Sequence, residues 1–170
     1  MLWRSRSSTP RRYPPGFIAP CLPTNAQAVP AGAQWIYEIK HDGFRFICRR
    51  DGERVYSCNG RDWTDRVPLI AEAIARLRVK SVTLDGENMR PYEWHVRRAT
   101  LRSLIKRAGP GIRLSDHLDG DGVAAFRHAC RMGLEGIVAK RRDKPYRSGR
   151  SPDWIKVKNP DAPAATRILE

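Results

Sequence analysis

Four short segments place charged side chains at or beside the ends of apolar strands. They are EIKHDGFR, LDGE, LEGIVAK and WIKVK, and their charged members include Lys40, Glu87, Glu135, Lys140, Lys156 and Lys158. If the strands share one sheet face, these lysines and carboxylates meet in one cleft. Magnesium takes one or two carboxylates together with phosphate oxygens, and lysines neutralise the remaining phosphate charge. The set therefore predicts a metal-assisted site for a phosphate-rich ligand.

Lys40 is the candidate nucleophile of this cleft. A lysine attacks only as the neutral amine, and neighbouring cations favour that form. We therefore expect Lys40 to attack the α-phosphate of a nucleotide, with Asp42 and Gly43 shaping the turn that brings it there. Each segment alone is typical of something simpler: a salt-bridged lysine at a strand end, a hairpin turn, or a solvated strand face. Only their order and spacing together favour the chemical interpretation.

The composition indicates a folded protein with a polyanionic partner. The 170 residues are 41% hydrophobic and 29% charged, with a net charge of +14. Such an excess favours nucleic acid or nucleotide phosphates, although a solvated basic surface has the same composition. No apolar run approaches membrane-spanning length, and the N-terminus lacks the apolar core of a signal peptide, so we expect a cytoplasmic protein without a membrane partner. The spacing of the four cysteines and four histidines favours neither a zinc site nor a disulfide.

The pattern of the chain predicts three regions: a proline-rich basic lead-in over 1–33 that is partly disordered, a domain over 34–160, and a tail over 161–170. QWIYEIK is typical of a strand. Asp51-Gly52, between FRFICRR and RVYSC, predicts a two-residue hairpin that puts Arg45 opposite Cys58.

Three helices and further strands follow. The first helix has an apolar stripe of Leu69, Ile70, Ala73, Ile74 and Leu77. The second has a stripe of Leu101, Leu104, Ile105 and Ala108 and ends at Gly109. The third begins at a cap, Asp119 or Asp121, turns Val123, Phe126 and Cys130 inward, and ends at Gly133. SVTLDGE, GIRLSDH, GIVAKR and DWIKVKN are predicted strands, with Lys156 and Lys158 on one face of the last. The mixed order predicts an α+β fold around antiparallel sheet.

The segments EIKHDGFR, NGRDWTDR, LDGE and LEGIVAKRRDKPYRSGRSPDWIKVKNP resemble, in this order, the adenylation domain of ATP-dependent DNA ligases. The likeness is greatest to the ligase module of bacterial non-homologous end-joining proteins, and it runs from about Phe17 to Pro160. It implies an ATP-grasp-like nucleotidyltransferase domain that uses ATP and Mg²⁺ and acts on nicked or broken DNA, with end-joining proteins as further partners.

The resemblance also implies a role for each matching residue. Lys40 takes AMP from ATP and releases pyrophosphate; the AMP then passes to a DNA 5′-phosphate, and a 3′-hydroxyl displaces it. The other matches are Glu38 near the adenine, Arg45 on the ribose or phosphate side, Glu87 near the ribose and metal, Glu135 at the metal, and Lys156 and Lys158 at the α-phosphate.

The chain differs in three places from the family that it resembles. Cys58 stands where the family usually has an arginine. Between Glu87 and Trp94 there is no room for the strands and the adenine-stacking aromatic of relatives, so an internal deletion is expected, and Glu87 matches either of two similar motifs. The chain also stops before the OB-fold domain of such ligases. We therefore expect an incomplete domain.

Three interpretations stay open from the sequence. The first is a ligase for DNA repair and recombination that is impaired by the missing segments and perhaps limited to self-adenylation. The second is a non-catalytic DNA-binding pseudo-ligase, and the third is a decayed fragment. An RNA ligase or capping-type nucleotidyltransferase is the remaining enzyme class, since it uses the same lysine chemistry.

Overall fold

The computed structural model describes residues 13–41, 45–50, 52–80, 82–84, 92–106 and 112–162, which form two sheets and three helices. The strands are β1 Cys21–Asn25, β2 Trp35–Ile39, β3 Phe46–Arg49, β4 Arg54–Ser57, β5 Thr83–Leu84, β6 Gly136–Arg141 and β7 Gly149–Lys158. The helices are α1 Pro68–Ala75, α2 Trp94–Ile105 and α3 Gly122–Arg131, with one 3-10 turn at Thr64–Arg66. Most strand pairs are antiparallel, so the predicted α+β class is confirmed.

The first sheet has the strand order β1-β7-β6-β2, and only the β1–β7 pair is parallel. Its core face buries Tyr37, Ile137 and Val157, and α3 packs there through Ala129. Gly122 permits the close approach, since a Cβ at this position would lie 2.2 Å from the Tyr37 ring. α3 therefore covers one face of the sheet and leaves the other face for the charged residues.

β1 lies inside the 1–33 range that the sequence pattern sets apart as a lead-in. Its residues pair with β7, with Cys21 opposite Gly149 and Asn25 opposite Lys156. Cys21 is fully buried. This part of the range thus belongs to the sheet, while the division of the chain at residues 33 and 160 stays a prediction.

The second sheet, β4-β3-β5, contains the predicted hairpin. Phe46 pairs with Ser57, so the register agrees with the prediction for Asp51-Gly52, and Gly52 has the expected positive φ of 75°. Continuing the same register places Arg45 opposite Cys58, and the Cys58 Sγ lies 3.1 Å from the Arg45 carbonyl oxygen. The hairpin therefore holds Cys58 beside Arg45, as predicted.

α1 buries only part of its predicted stripe. Ile74 and the following Leu77 lie in a core with Cys48, Val55 and Val82, and Ala73 is buried as well. Leu69, however, is 79% exposed and Ile70 is exposed as well, so the prediction is wrong for these two. Both belong to the first turn of an eight-residue helix, whose contacts with the core of the second sheet are made by Ala71 and Ile74 and by the flanking Val67 and Leu77.

Two further predictions need correction near α3. GIRLSDH forms no strand in its described part, residues 112–117. The residue that follows it, Leu118, makes an isolated bridge to Tyr37 on the outer edge of β2. Val123 is 43% exposed because the helix meets the sheet through Gly122 and Ala129 instead. The alternative of an Asp121 cap is confirmed, since its carboxylate accepts hydrogen bonds from the Val123 and Ala124 amides.

The predicted buried stripe of α2 is only partly accounted for. Leu104 and Ile105 pack against the core of the second sheet, while Ala108 and the predicted stop at Gly109 lie outside the described residues.

Within the described part of the chain, no helix has the length and apolarity that a membrane crossing requires.

Candidate functional site

The strand register collects the charged residues on the face of the first sheet that α3 leaves uncovered. Glu38, Val138 and Lys156 form one row across β2, β6 and β7. In the next row the Lys40 amide donates to the Gly136 carbonyl, and Gly136 pairs with Lys158. Because side chains alternate along a strand, one face then carries five of the predicted charged residues: Glu38, Lys40, Lys140, Lys156 and Lys158.

Lys40 and Glu135 form an ion pair where β2 ends and β6 begins. The Lys40 Nζ contacts Glu135 Oε1, and both side chains are less than one-fifth exposed. The second oxygen of the carboxylate, Oε2, is buried and has no hydrogen-bond partner. An ionised oxygen in this situation is costly unless a donor or a cation meets it. The site therefore has a place for one further positive group.

Lys156 lies in a crowd of cations. Its pKa is lowered from the ordinary value, first by burial and then by the charges of Lys158, Lys40 and Arg150, while Glu135 acts in the opposite direction. These charges surround Lys156 closely enough to oppose its protonation. Such a cluster is a strong attractor for a phosphate, whose negative charge relieves the mutual repulsion.

Gly136 allows the strands that carry the lysines to approach each other. Its φ is +136°, and a Cβ at this position would lie only 2.1 Å from the Val157 carbonyl oxygen. A larger residue would push β7 away from β6, and with it Lys156 and Lys158. The glycine thus sets the spacing between the lysines of β7 and Lys40.

Glu38 and Lys140 form a second ion pair farther along the same face. The Lys140 Nζ lies 2.5 Å from Glu38 Oε2, with both side chains about one-seventh exposed. The same ammonium sits 4.2 Å from the ring centroid of Trp154. One cation thus fixes both the carboxylate and the indole ring.

A cavity of about 250 Å³ adjoins this second ion pair. Residues of the first sheet, β5, α2 and the segment 113–115 all contribute to its lining. Its lining includes Glu38, Lys140, Tyr146, Trp154, Trp94, Arg97, Arg98 and Arg113. The aromatic residues and the arginines of this lining are absent from the predicted site. The tryptophans of WIKVK and PYEWHV stand next to the charged motifs in the sequence and could have indicated these residues. The sequence around each tryptophan, however, does not show that Trp94 and Trp154 line the same cavity.

Arg45, a further predicted site residue, lies just before β3. Arg45 donates through Nη1 to the Cys21 carbonyl at 2.7 Å, which ties the start of β3 to the first sheet. Glu87 lies outside the described residues, as do Asp42 and Gly43.

The carboxylate oxygens at this site fit a magnesium ion that is also held by substrate phosphates. Among the described residues, no three His, Cys, Asp or Glu side chains cluster as metal ligands. Magnesium does not need such a cage, because one or two carboxylates plus substrate phosphates suffice. The unpartnered Oε2 of Glu135, beside a cluster of phosphate-attracting lysines, meets that requirement.

The fold is that of a DNA ligase adenylation domain. The family model "ATP dependent DNA ligase domain" matches residues 20–93 and 84–158, so the chain belongs to this ATP-dependent DNA ligase family. The two matched stretches overlap at residues 84–93, around Glu87. This overlap supports the predicted internal shortening, since the same short segment of the chain is included in both matches to the family model.

The curated proteins that are similar to this chain include multifunctional non-homologous end joining proteins. That of Pseudomonas aeruginosa, LigD, is 33% identical over 187 positions, covering 85% of this chain and 22% of its own length. The Mycolicibacterium smegmatis LigD is 31% identical, with 85% and 24% covered. The chain thus spans about a quarter of these relatives. An alignment of 187 positions exceeds this chain's full length, so the relative has residues without counterparts here.

The solved structures agree with the sequence relatives. The ligase domain of Mycobacterium tuberculosis LigD has a TM-score of 0.68 at 26% identity, covering 83% of this chain and 59% of that domain. A mycobacterial DNA ligase D complexed with ATP and MES has a TM-score of 0.67 at 27% identity, with 83% and 60% covered.

Proposed function

We propose that this chain is a ligase-type nucleotidyltransferase that transfers AMP from ATP to the Nζ of Lys40. The observation that carries the proposal is the shared face of Lys40, Lys156 and Lys158 around the half-partnered carboxylate of Glu135. A phosphate bound in that cluster lies next to both the Lys40 amine and the Glu135 carboxylate that pairs with it. Family membership supports ATP as the nucleotide.

The step is a displacement at the α-phosphorus. Lys40 gives its ammonium proton to the Glu135 carboxylate that it contacts, which frees the nitrogen lone pair. The Nζ–P bond forms while the bond from the α-phosphorus to the α,β-bridging oxygen breaks. Pyrophosphate leaves with that electron pair and takes up the second proton that the nitrogen loses. Lys156 and Lys158 hold the α-phosphate oxygens during this exchange, where fixed positive charge favours the transition state.

Glu135 Oε2 is the described atom that would hold Mg²⁺, and Glu87 is the second carboxylate we propose for it. When bound, the ion neutralises phosphate charge and so lowers the cost of bringing a nucleophile to phosphorus. Arg45 is proposed on the ribose or phosphate side of the nucleotide.

The base of the nucleotide fits the cavity next to Glu38. Two residues along a strand span about 6.6 Å, so Glu38 lies one repeat from Lys40 on the same face. A nucleotide with its phosphate among the lysines therefore places its base beside Glu38, Lys140 and Trp154. Glu38 is the proposed polar contact of the adenine.

DNA is the proposed acceptor of the AMP. The net charge of +14 suits the phosphate backbone of a nicked or broken duplex. The 5′-phosphate would take AMP from Lys40, and a 3′-hydroxyl would displace it, in repair and recombination. End-joining proteins are the proposed partners, in keeping with the names of the relatives. The bacterial cytoplasm, at the nucleoid, is the proposed location.

The test is incubation with α-labelled ATP and Mg²⁺, followed by denaturation and detection of protein-bound label. We expect wild type and Lys80→Ala, an exposed lysine control, to retain label, and Lys40→Ala to show background only. Unlabelled wild type, or labelled Lys40→Ala, would overturn the proposal. Adding nicked DNA with a 5′-phosphate should then move the label to DNA; label that stays on the protein would remove the DNA step alone.

A further inference from the structure

Two indole rings line the cavity, one on the first sheet and one on α2, and each contacts a cation and an aromatic neighbour. Trp154, on the sheet, has the Lys140 ammonium 4.2 Å from its centroid and the Tyr146 ring at 90° and 5.8 Å. Trp94, on α2, has the Arg98 guanidinium 5.4 Å from its centroid and the His117 ring at 64° and 4.7 Å. Rings fixed in this way lose little freedom when a planar ligand stacks on them.

The helix that carries Trp94 is anchored at both ends. At its start the Trp94 amide donates to the Arg142 carbonyl at 3.0 Å, just beyond β6. At its other end Leu104 and Ile105 pack into the core of the second sheet. The α2 wall of the cavity therefore has a fixed position relative to the sheet wall.

One donor of this wall has no partner. Arg98 lines the cavity, and its Nε is buried without a hydrogen-bond acceptor. A buried N–H in this state costs free energy that a ligand acceptor would return. The neighbouring Arg97 differs: its Nη1 donates to the Tyr92 and Lys144 carbonyls, and burial lowers its pKa. Arg98 thus has a buried N–H donor, at Nε, that makes no hydrogen bond.

We propose that α2 supplies the recognition wall for the nucleotide base: Trp94 stacks on the heterocycle, and Arg98 Nε donates to one of its ring nitrogens. The inference rests on the proposed function, which puts a nucleotide in this cavity. The ring nitrogens of a purine are hydrogen-bond acceptors, so the chemistry matches an N–H donor. In this chain α2 follows the shortened segment directly, which makes its first turn available as a wall of the site.

The test measures binding of ATP, its 1-, 3- and 7-deaza analogues and tripolyphosphate by calorimetry. Each deaza analogue lacks one ring acceptor, and tripolyphosphate lacks the base. We expect wild type to bind one deaza analogue roughly tenfold more weakly than ATP, as for the loss of one buried hydrogen bond. Arg98→Leu should bind ATP and that analogue equally. Trp94→Leu should weaken all base-containing ligands and leave tripolyphosphate unchanged.

Arg102→Leu is the matched control, because Arg102 is an exposed arginine one turn further along α2 and outside the cavity lining. It should behave as wild type. Arg98→Lys serves as a second variant that keeps the charge and removes the Nε donor, so it should also lose the discrimination. If wild type binds ATP and every variant keeps the same discrimination, the inference is overturned. If wild type binds ATP no better than tripolyphosphate, the proposed base site itself fails.

Discussion

Gly136→Ala tests whether the close approach of β6 and β7 is what positions the lysines. The added Cβ would lie 2.1 Å from the Val157 carbonyl oxygen and 3.0 Å from the Lys158 Cα. Both are backbone atoms of β7, so no side-chain rotation relieves the collision, and the strand itself must move. The φ of +136° is also one that an alanine rarely adopts.

The two effects add to a large loss of stability. A non-glycine residue in such a conformation costs about 1–3 kcal/mol, and overpacking costs about 1–3 kcal/mol more. A total near 3 kcal/mol lowers the melting temperature by roughly 6–12 °C in a chain of this size. We also expect Lys40 labelling to fall about a hundredfold, since a shift of about 1 Å at a reacting group has that effect.

Thermal unfolding and the labelling assay, run with Gly133→Ala, separate the two causes. Gly133 also has a positive φ, +67°, but a Cβ there meets nothing within 4 Å. This control therefore has the conformational strain without the collision, and should melt only about 2–4 °C lower for a loss of ~1 kcal/mol, with normal labelling. If Gly136→Ala is no worse than Gly133→Ala in both assays, the spacing argument is wrong.

Two further predictions concern charge and capping. Lys156→Met should melt up to a few degrees higher, because a crowded charge is removed, yet bind tripolyphosphate at least tenfold more weakly. Because the pKa of Lys156 is lowered in the folded state, the unfolded chain binds more protons between this pKa and about 10.4. The contribution of Lys156 to the free energy of unfolding therefore rises with pH in that range. Melting curves of Lys156→Met at alkaline pH should lack this rise. Asp121→Ala should cost about 1 kcal/mol, or about 2–4 °C, through loss of the α3 cap. Asp119→Ala, at an exposed ion pair, should cost less, and the reverse order would contradict the capping assignment.

Local patterns of this sequence were enough for the elements with strong periodicity or turn chemistry. The alternation in QWIYEIK and WIKVK predicts β2 and β7, and Asp51-Gly52 predicts the hairpin and its register, because these signals act between near neighbours. The same alternation placed Lys156 and Lys158 on one face. The α1 stripe failed at Leu69 and Ile70, since periodicity gives the direction of a face but not how far the opposing sheet extends.

What the sequence determined by itself is the set of charged residues and the face of its own strand on which each one lies. Tertiary structure decided which strands are neighbours: β6 lies between β2 and β7, which brings Lys40 and Lys156 to one site and pairs Glu38 with Lys140 across 102 residues of chain. It also decided that Trp94 and Trp154 share a cavity. Such contacts depend on the packing of distant segments, and the residue types at either end carry no information about the distance between them.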